Sequence, residues 1–367
     1  MIRCLHLADL HLGWEPSFLG PRAAHRQRER DDLLRRIVDY ALANGVDLVI
    51  IAGDLFETHR PPADLADAVR RDLRRLDQAG VAVVTVPGNH DEITYHDSVY
   101  RQGDWPGVLV QNPTVDKVAT LSIKGQDCHF YSLAYTGGLT PSDPLTEFPR
   151  SDEQGFHIAV FHGTLDWNPG ERSLPLQSAA LAAANYHYTA LGHIHRHSVH
   201  RSGPGGPLVY AGAVEGKGFH DLGTGQLVLA ELDRERTTVT TVPLAVRPCR
   251  VVEVDVGHLA DVDELHQSLG ALADKEAIVR LRLTGTAGFH YRIDDELAAQ
   301  FYYLEIQDDA DYLADAAVAA LAAEQTVRGE FVRVMQKIIA AADDSQRPVF
   351  WRALRRGLAA LDGSEGR

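Results

Sequence analysis

The sequence contains few cysteines and no long hydrophobic run. Only three of its 367 residues are cysteines, Cys4, Cys128 and Cys249, and no two of them form a C-x-x-C pair. This spacing argues against a zinc ribbon or a disulfide framework and fits a reducing compartment. No stretch reaches the length of a membrane span, and Arg3 and Asp9 interrupt the N-terminal apolar run too early for a signal peptide. We therefore expect a soluble, cytoplasmic protein with no membrane partner.

Positive charge is also scarce. The chain has 36 Lys and Arg residues against 51 Asp and Glu residues, which gives a formal net charge of −15. Proteins that bind nucleic acid through its phosphates usually carry a basic surface. Such a surface would have to be local here, for example within residues 22–36 or 70–75, and both segments also fit solvated helix faces. The acidic balance weakens a nucleic-acid interpretation without excluding it, because bound divalent cations would offset several carboxylates.

The first half of the chain alternates predicted strands and helices. Residues 2–8, 46–52 and 81–86 are short, largely β-branched apolar runs of the kind found in buried strands. Residues 24–43 and the segment after Pro61-Pro62 carry apolar residues at helical spacing. This β-α-β-α-β order predicts a parallel sheet with crossover helices.

The pattern changes to short strands and turns after residue 107. Residues 208–211, 226–232 and 237–243 predict a second, antiparallel-rich sheet. The predicted fold class is α/β, with two stacked mixed β-sheets flanked by helices. A boundary is expected near Pro248, followed by a small α/β cap and C-terminal helices. The predicted domains are residues 1–247, 248–310 and 311–367.

Polar side chains follow the predicted strands of the first domain, at the point where each strand ends. Open α/β sheets place their ligand chemistry at this edge. Any one of these clusters has an ordinary explanation as a turn or a helix cap. All of them together, built almost entirely from Asp, Asn and His, indicate a metal site. The predicted ligands are Asp9, His11, Asp54, Asn89, His162, His193 and His195.

These ligand types narrow the choice of metal. Imidazole, carboxylate and amide oxygen without thiolate suit Mn, Fe or Zn better than Ca or a cysteine-bound zinc. We expect two divalent metal ions, with Mn favoured and Fe, Zn or Mg as alternatives, because such a pair clamps the oxygens of a phosphoryl displacement and supplies its nucleophile. Asp54 is the predicted bridge between the ions. The expected partners are Asp9, His11 and His195 for one ion and Asn89, His162 and His193 for the other.

His90 and Asp91 are the predicted catalytic pair. Adjacent residues in a turn point in different directions, so His90 is free to face the substrate when Asn89 binds metal. We expect His90 to protonate the leaving oxygen or to stabilise the charged transition state, and Asp91 to hold its imidazole in the right tautomer. The alternative is that His90 is a structural turn residue.

The assembled clusters resemble the calcineurin-like metallophosphoesterases. The resemblance rests on Asp9-Leu10-His11, Gly53-Asp54, Gly88-Asn89-His90-Asp91, His162-Gly163 and Gly192-His193-Ile194-His195. It implies the same roles, with Asp54 as bridging ligand and His90 with Asp91 as the acid pair.

A narrower resemblance is to the SbcD-type DNA-repair exonucleases, on residues 5–13 and on Ala52-Gly53-Asp54-Leu55-Phe56 followed by Arg60-Pro61-Pro62. It covers roughly the first 245 residues, and the remainder fits only in layout. One departure is Glu57, which stands where some relatives carry a histidine three residues after the bridging aspartate. The resemblance implies DNA as substrate, a cap beside the DNA groove, a homodimer, and an SbcC-like coiled-coil ATPase docked by the C-terminal helices.

Three functions compete at this point. The first is a two-metal DNA exonuclease or endonuclease, the nuclease subunit of an SbcCD-like repair complex, which the residues after Pro248 favour. The second is a stand-alone metallophosphodiesterase or phosphatase for small nucleotides or phosphoproteins, which the acidic charge favours. The third is a non-catalytic scaffold with a relict metal site, and against it no ligand position is missing.

Overall fold

The computed structural model describes residues 1–137, 144–166, 173–201, 205–223, 225–287, 291, 293, 295–310, 315–343 and 346–362. The chain divides into two compact units, Met1–Val246 and Arg247–Arg367. The predicted separation of residues 248–310 from residues 311–367 stays a prediction. Residues 311–314, 344–345 and 363–367 of that last region lie outside the described part of the chain.

The first unit alternates strands and helices through its first three strands and is rich in strands after them. Its described elements are strands β1 (Ile2–Leu7), β2 (Leu48–Ala52), β3 (Ala82–Val86), β4 (Val108–Leu109), β5 (Asp116–Ile123), β6 (Gln126–Ser132), β7 (Phe156–Leu165), β8 (Leu174–Leu176), β9 (Tyr188–Gly192), β10 (Ser198–His200), β11 (Leu208–Tyr210), β12 (Gln226–Leu232) and β13 (Thr237–Pro243), and helices α1 (Ala23–Asp31), α2 (Leu33–Ala43), α3 (Ala63–Gln78) and α4 (Ser178–Ala183).

The first sheet has the order β13-β12-β1-β2-β3-β4 among the described residues. Strands β1 to β4 are parallel, as the β-α-β-α-β pattern predicts, and β12 and β13 add antiparallel strands beside β1. The sequence-based assignment of β12 and β13 to the second sheet is wrong. Their alternating pattern predicts strands, but pairing between segments so distant in sequence leaves no local signal. Strand β12 pairs with the edge of β1 that β2 leaves free, and β13 pairs with β12.

The second sheet has the order β10-β11-β9-β7-β6-β5, with β8 also paired to β7, in the part of the chain described. The prediction that it is rich in antiparallel pairs is wrong, because β6, β7, β9 and β11 run parallel. Antiparallel pairing is confined to the two outer pairs, β5 with β6 and β10 with β11. Parallel neighbours need long crossover connections, and α4 supplies one between β7 and β9.

The two sheets stack face to face and share one hydrophobic core. Residues of β2 contact both β7 and β9, and the core joins buried side chains from both sheets, such as Ile50 and Ile158. A hydrogen-bonded contact also crosses between the sheets, where His6 Nδ1 lies 2.9 Å from the Tyr188 hydroxyl. The predicted fold class, two stacked mixed sheets flanked by helices, is confirmed.

Helices α2 and α3 cover the first sheet with apolar stripes. Helix α2 buries Leu34, Ile37 and Ala41, and α3 buries Val69 and Leu73 with their helical neighbours. Such i, i+3, i+4 spacing is what a helix packed on a sheet requires. The predicted helix over residues 24–43 is two helices, α1 and α2.

The second unit contains a parallel three-stranded sheet and several helices. Its strands β14 (Cys249–Asp255), β15 (Ile278–Thr284) and β16 (Tyr303–Asp308) lie side by side in that order. Among the helices that the structure describes in the whole chain, none has both the length and the hydropathy that a membrane crossing requires. Two apolar clusters stabilise the unit, one around Leu281 and one between the last helices around Val332. The described α-helices are α5 (Val262–Gly270), α6 (Asp295–Ala298), α7 (Asp315–Ala322), α8 (Val327–Ala341) and α9 (Arg347–Asp362).

The contact between His6 and Tyr188 predicts a pH-dependent stability. Burial, reinforced by His197, lowers the pKa of His6 to about 3, so the ring is neutral in the folded protein. The unfolded chain binds a proton near pH 6.5, so this contribution is complete above that pH and is lost as the pH falls toward 3. We expect the metal-free protein to lose about 1.4 kcal/mol of unfolding free energy per pH unit through this group.

Urea denaturation in EDTA between pH 7.5 and pH 5.5 measures this slope. His6→Gln removes the titrating group and should flatten the pH dependence, whatever its effect on absolute stability. The control His25→Gln alters an exposed ring and should leave the slope unchanged. Identical slopes for His6→Gln and the unaltered protein would contradict the assignment.

Candidate metal centre

The predicted ligands lie together at one edge of the stacked sheets. Asp9 and Asp54 each follow their strands, β1 and β2, by two residues, and Asn89 follows β3 by three. From the second sheet, His193 directly follows β9, and His162 lies inside β7 opposite Gly192. The carboxyl ends of parallel strands share an edge, so strands far apart in sequence deliver their polar residues to one place.

The backbone at this edge is held in an unusual conformation. Asp9, His11, Asp54 and His193 all have positive φ, at 57°, 47°, 50° and 91°. Each such residue costs on the order of 1–3 kcal/mol and persists only where its surroundings enforce it. Here the loops after β1 and β2 are joined by backbone hydrogen bonds, in which Asp9 N donates to the Gly53 carbonyl at 3.1 Å and His11 N donates to the Asp54 carbonyl at 3.0 Å.

Two glycines allow the side chains to approach one another. A Cβ atom on Gly53, whose φ is +89°, would overlap the His162 ring. A Cβ on Gly88 would overlap the Asp54 carboxylate. Neither position leaves space for a side chain, so glycine is required at both.

In the first group of predicted ligands, atoms of His11, His195, Asp54 and Asp9 lie close to one another. His11 Nε2 lies 3.1 Å from His195 Nε2, 3.7 Å from Asp54 Oδ2, and His195 Nε2 lies 3.9 Å from Asp9 Oδ1. Burial, only partly opposed by Glu57, lowers the pKa of His11 to about 4. Burial also raises the pKa of Asp9 to about 6. Charged groups are therefore costly here unless a counter-ion joins them.

The outer nitrogens of both rings face carboxylates. His11 Nδ1 lies 2.9 Å from Glu57 Oε2, and His195 Nδ1 lies 2.7 Å from Asp221 Oδ2. Each Nδ1 is thus placed to carry a proton, which leaves both Nε2 lone pairs directed at each other. Facing lone pairs repel, so a positive group belongs between them. A divalent cation satisfies both nitrogens and both nearby carboxylates, and this carboxylate–histidine order is typical of metal sites.

The second group is centred on the Asn89 side chain. Asn89 Oδ1 lies 3.0 Å from His162 Nε2 and 2.9 Å from His193 Nδ1, and His162 Nε2 lies 3.3 Å from Asp54 Oδ2. His162 Nδ1 lies 2.9 Å from the Ala52 carbonyl and is its donor, so His162 Nε2 again faces oxygens. As predicted, the donors are imidazole nitrogens and carboxylate and amide oxygens with no thiolate, a set that fits a divalent cation.

The electrostatics of His162 and Asp54 agree with a cation between the groups. Burial alone lowers the pKa of His162, but the Asp54 carboxylate raises it to about 9, so a proton takes the place of a cation in the metal-free protein. Burial alone raises the pKa of Asp54, but His162 and His11 lower it well below the usual range. The Asp54 carboxylate faces both groups, which is the position a bridging ligand needs.

The hydrogen-bond partners of His90 and Asp91 differ from those expected of a catalytic acid pair. Asp91 is fully buried and accepts hydrogen bonds from Gly88 N at 2.7 Å, Phe56 N at 3.1 Å and the Tyr100 hydroxyl at 2.7 Å. It therefore fixes the turn rather than the His90 imidazole. Consecutive residues of the turn project to opposite sides, and His90 Nδ1 instead lies 3.1 Å from the Glu57 carbonyl.

The His90 ring stands at the open side of the centre. Its side chain is 37% exposed, whereas those of His11 and His162 are 1% exposed. It packs edge-on against the His11 ring, with centroids 4.7 Å apart, and its backbone N–H donates to Asp54 Oδ1 at 2.9 Å. Solvent and substrate can therefore reach His90, which is the property expected of a proton donor.

A loop that sequence reasoning missed completes the centre. Asp221 contacts His195, Lys217 N donates to Asp221 Oδ2 at 3.0 Å, and Lys217 Nζ lies 2.7 Å from Glu57 Oε2. Through His11 and Lys217, against the effect of burial, the pKa of Glu57 falls to about 2, so it is a carboxylate at neutral pH. The segment looks like an ordinary glycine-rich loop in sequence, and only its tertiary position shows its role.

Helix α1 anchors this loop. Arg30 is buried and donates from its guanidinium to the Glu215 carbonyl at 3.0 Å and the Gly216 carbonyl at 2.8 Å. Arg26 forms a buried ion pair with Glu215. Part of the basic segment 22–36, considered above as a solvated face or a nucleic-acid surface, is thus structural: it holds the loop that orients His195.

Known proteins are similar in sequence to the part of the chain that carries most of this centre. A sequence profile of the calcineurin-like phosphoesterase family matches residues 2–197. The chain is 26% identical over 228 residues to the uncharacterized metallophosphoesterase YhaO of Bacillus subtilis, covering 60% of this chain and 54% of that protein. It is 28% identical over 283 residues to the DNA double-strand break repair protein Mre11 of Aeropyrum pernix, covering 70% of this chain and 64% of that one.

A shorter match is to the SbcD component of nuclease SbcCD of Escherichia coli, 34% identical over 92 residues, which cover 25% of this chain and 22% of that protein. With YhaO and the Aeropyrum protein, too, the matched region spans less than two thirds of the relative's length.

The Asp221 carboxylate should determine metal affinity through His195. Asp221→Asn keeps the side chain's shape but removes the charge that orients the ring, and we expect Mn²⁺ binding to weaken about 10- to 100-fold. Isothermal titration calorimetry of the metal-free protein measures this directly. Asp77→Asn, an exposed substitution in α3, is the matched control. Equal affinities for both variants and the unaltered protein would disprove the role of Asp221.

Proposed function

Because the chain belongs to the calcineurin-like phosphoesterase family, we propose that it hydrolyses phosphodiester bonds with two divalent metal ions, Mn being the favoured one. The observation that carries this proposal is the position of Asp54, whose Oδ2 lies 3.7 Å from His11 Nε2 and 3.3 Å from His162 Nε2. One carboxylate oxygen between two histidine groups is what a bridged pair requires. Fe, Zn and Mg remain alternatives, since all accept this donor set.

Seven side chains would hold the ions. When bound, the ions supply Lewis acidity toward the phosphoryl oxygens and the nucleophile near neutral pH. Glu57 and Asp221 orient His11 and His195, and the Ala52 carbonyl orients His162. The proposed ligands are Asp9, His11 and His195 for one ion, Asn89, His162 and His193 for the other, and Asp54 for both.

We assign the proton donor to His90. The Glu57 carbonyl holds His90 Nδ1 as a hydrogen-bond donor, so the acid form of the ring would be the imidazolium, with its second proton on Nε2 as the one that a leaving oxygen takes. Its exposure and its contact with the His11 ring support a position beside the reacting phosphate. Asp91 contributes indirectly, by holding Gly88 N, Phe56 N and Tyr100 so that the turn keeps His90 in place.

DNA is the substrate we favour. The chain is similar to a DNA double-strand break repair protein and to a component of a nuclease, and it carries a second unit beyond the phosphoesterase match. We propose a cytoplasmic DNA exonuclease or endonuclease that acts as the nuclease subunit of an SbcCD-like repair complex. Residues 248–310 would cap the DNA groove, residues 311–367 would dock an SbcC-like coiled-coil ATPase, and two copies would form a homodimer.

The alternative is a stand-alone phosphodiesterase or phosphatase for small nucleotides or phosphoproteins. The net charge of −15 favours it, because an acidic protein has less attraction for the DNA backbone. The same metal centre serves both substrates, so only the substrate separates the two functions.

Labelled DNA and bis-p-nitrophenyl phosphate distinguish the two. We expect DNA cleavage with Mn²⁺, little with EDTA, and none with Asp54→Ala, since that variant loses the ligand shared by both ions. Turnover of the small diester with DNA left intact would reject the nuclease function of the isolated chain and support the alternative. No turnover of either substrate by protein with two ions bound would reject both.

His90→Ala separates catalysis from metal binding. We expect turnover to fall by about 10²- to 10⁴-fold, the usual contribution of a proton donor, while calorimetry gives nearly unchanged Mn²⁺ affinity. His25→Ala, on the exposed face of α1, should match the unaltered protein in both measurements. An equal loss of metal binding in His90→Ala would show that His90 is a ligand instead.

A further inference from the structure

A second polar pocket lies on the first unit, at the sheet edge opposite the metal centre. It encloses about 360 Å³ and is lined by the residues before β9, the loop before β11 and the turn between β12 and β13. His187 directly precedes β9, and His193 directly follows it. The five-residue strand between them makes six residue steps from His187 to His193, which places the two sites roughly 20 Å apart along the strand.

The pocket concentrates positive charge on an acidic protein. Arg150, Arg201, Arg234 and Arg236 line it, and none of the four forms a salt bridge with a described residue. Arg234 donates one hydrogen bond, to Gln126 Oε1 at 3.2 Å. Two acids also line the pocket, Asp233 and Glu235, and Asp233 lies 3.9 Å from the N-terminal amine.

One histidine adds a neutral donor. His157 N donates to His187 Nδ1 at 2.9 Å, so the proton of the neutral His187 ring sits on Nε2. Burial first, and then Arg150, lower the pKa of His187 and keep the ring neutral. The His187 ring stacks on the His157 ring at 5.7 Å, which fixes its plane. His187, which lines the same pocket as the four arginines, therefore has an oriented Nε2–H donor.

Hydrogen bonds join the walls of the pocket to one another. Gly206 N donates to the Tyr186 carbonyl at 2.7 Å, Thr237 Oγ1 donates to the His187 carbonyl at 2.7 Å, and His187 N donates to the His157 carbonyl at 2.8 Å. A Cβ on Gly206 would overlap the His187 carbonyl, so the walls approach as closely as glycine permits.

We propose that this arginine pocket binds phosphate groups, as a second ligand site of the first unit, distinct from the metal centre. Guanidinium groups pair with phosphate oxygens through two parallel hydrogen bonds, and a neutral imidazole N–H adds a further donor. The volume suits a small phosphorylated ligand. A free nucleotide and a nucleic-acid strand present the same groups, and the probes below separate these sources.

Calorimetry of the full chain in EDTA tests the pocket with inorganic pyrophosphate, thymidine monophosphate and a thymidine oligonucleotide of about 12 residues. The test variant is Arg201→Ala with Arg236→Ala. The control is Arg101→Ala with Lys124→Ala, two exposed basic residues of the first unit that lie outside the pocket and produce the same change in net charge. We expect at least about tenfold weaker binding in the test variant, because removing one charge-assisted hydrogen bond to a phosphate costs about that factor. The control should stay within about twofold, because distant charges are screened.

Each outcome has a defined meaning. Weaker binding of pyrophosphate or the mononucleotide in the test variant alone identifies a free phosphorylated ligand. Weaker binding of the oligonucleotide alone identifies a nucleic-acid strand as the source of the phosphates. Equal affinities of all three proteins for every probe would overturn the proposal. Arg150→Ala, on the loop before β7, provides an independent variant that must weaken the same probe, and melting temperatures confirm that each variant is folded.

Discussion

The metal centre depends on one buried carboxylate that faces two groups of histidines. Asp54 can stay charged inside the protein only because His11 and His162 lie near it, and those rings are held in place by partners of their own. The charge is in turn the reason that His162 is protonated in the metal-free protein. Without the Asp54 carboxylate, the nitrogens of His11 and His162 lose the oxygen that lies between them. The arrangement is therefore a single electrostatic unit rather than two neighbouring sites.

The geometry around Asp54 is supported by parts of the chain that carry no ligand. Glu57 and Asp221 orient rings, Arg26 and Arg30 hold the loop on which Asp221 lies, and Asp91 ties the turn that carries Asn89 and His90. Each support is a hydrogen bond or ion pair in a buried or partly buried place, where losing one partner leaves the other less well satisfied. Substitutions outside the ligand set are thus able to disturb the centre as much as substitutions within it.

The sequence predicts which polar side chains come together at the sheet edge, but not the residues that support them. Parallel strands end at a common edge, so Asp9, Asp54 and Asn89 were predictable neighbours once the strands were recognised. Asp221 had no comparable signal, because its contact with His195 arises from the position of a loop in three dimensions. The contacts of Asp91 were unpredictable for the same reason. Its adjacency to His90 in sequence suggested that the two form a pair, whereas Asp91 accepts hydrogen bonds from Gly88 N, Phe56 N and the Tyr100 hydroxyl, and His90 Nδ1 faces the Glu57 carbonyl. Likewise, no local sequence pattern indicates the pairing of β12 with β1.

That last pairing has a consequence for how the chain is made. Strand β1 leaves the ribosome long before its outer neighbour β12, which begins only at Gln226. Until then one side of β1 presents unpaired N–H and C=O groups, and a strand with an open edge readily pairs with another chain. His195 and Asp221 also emerge late. The nascent protein therefore completes its sheet and its metal centre almost together, and a chain that stalls before β12 has neither a closed edge nor a working site.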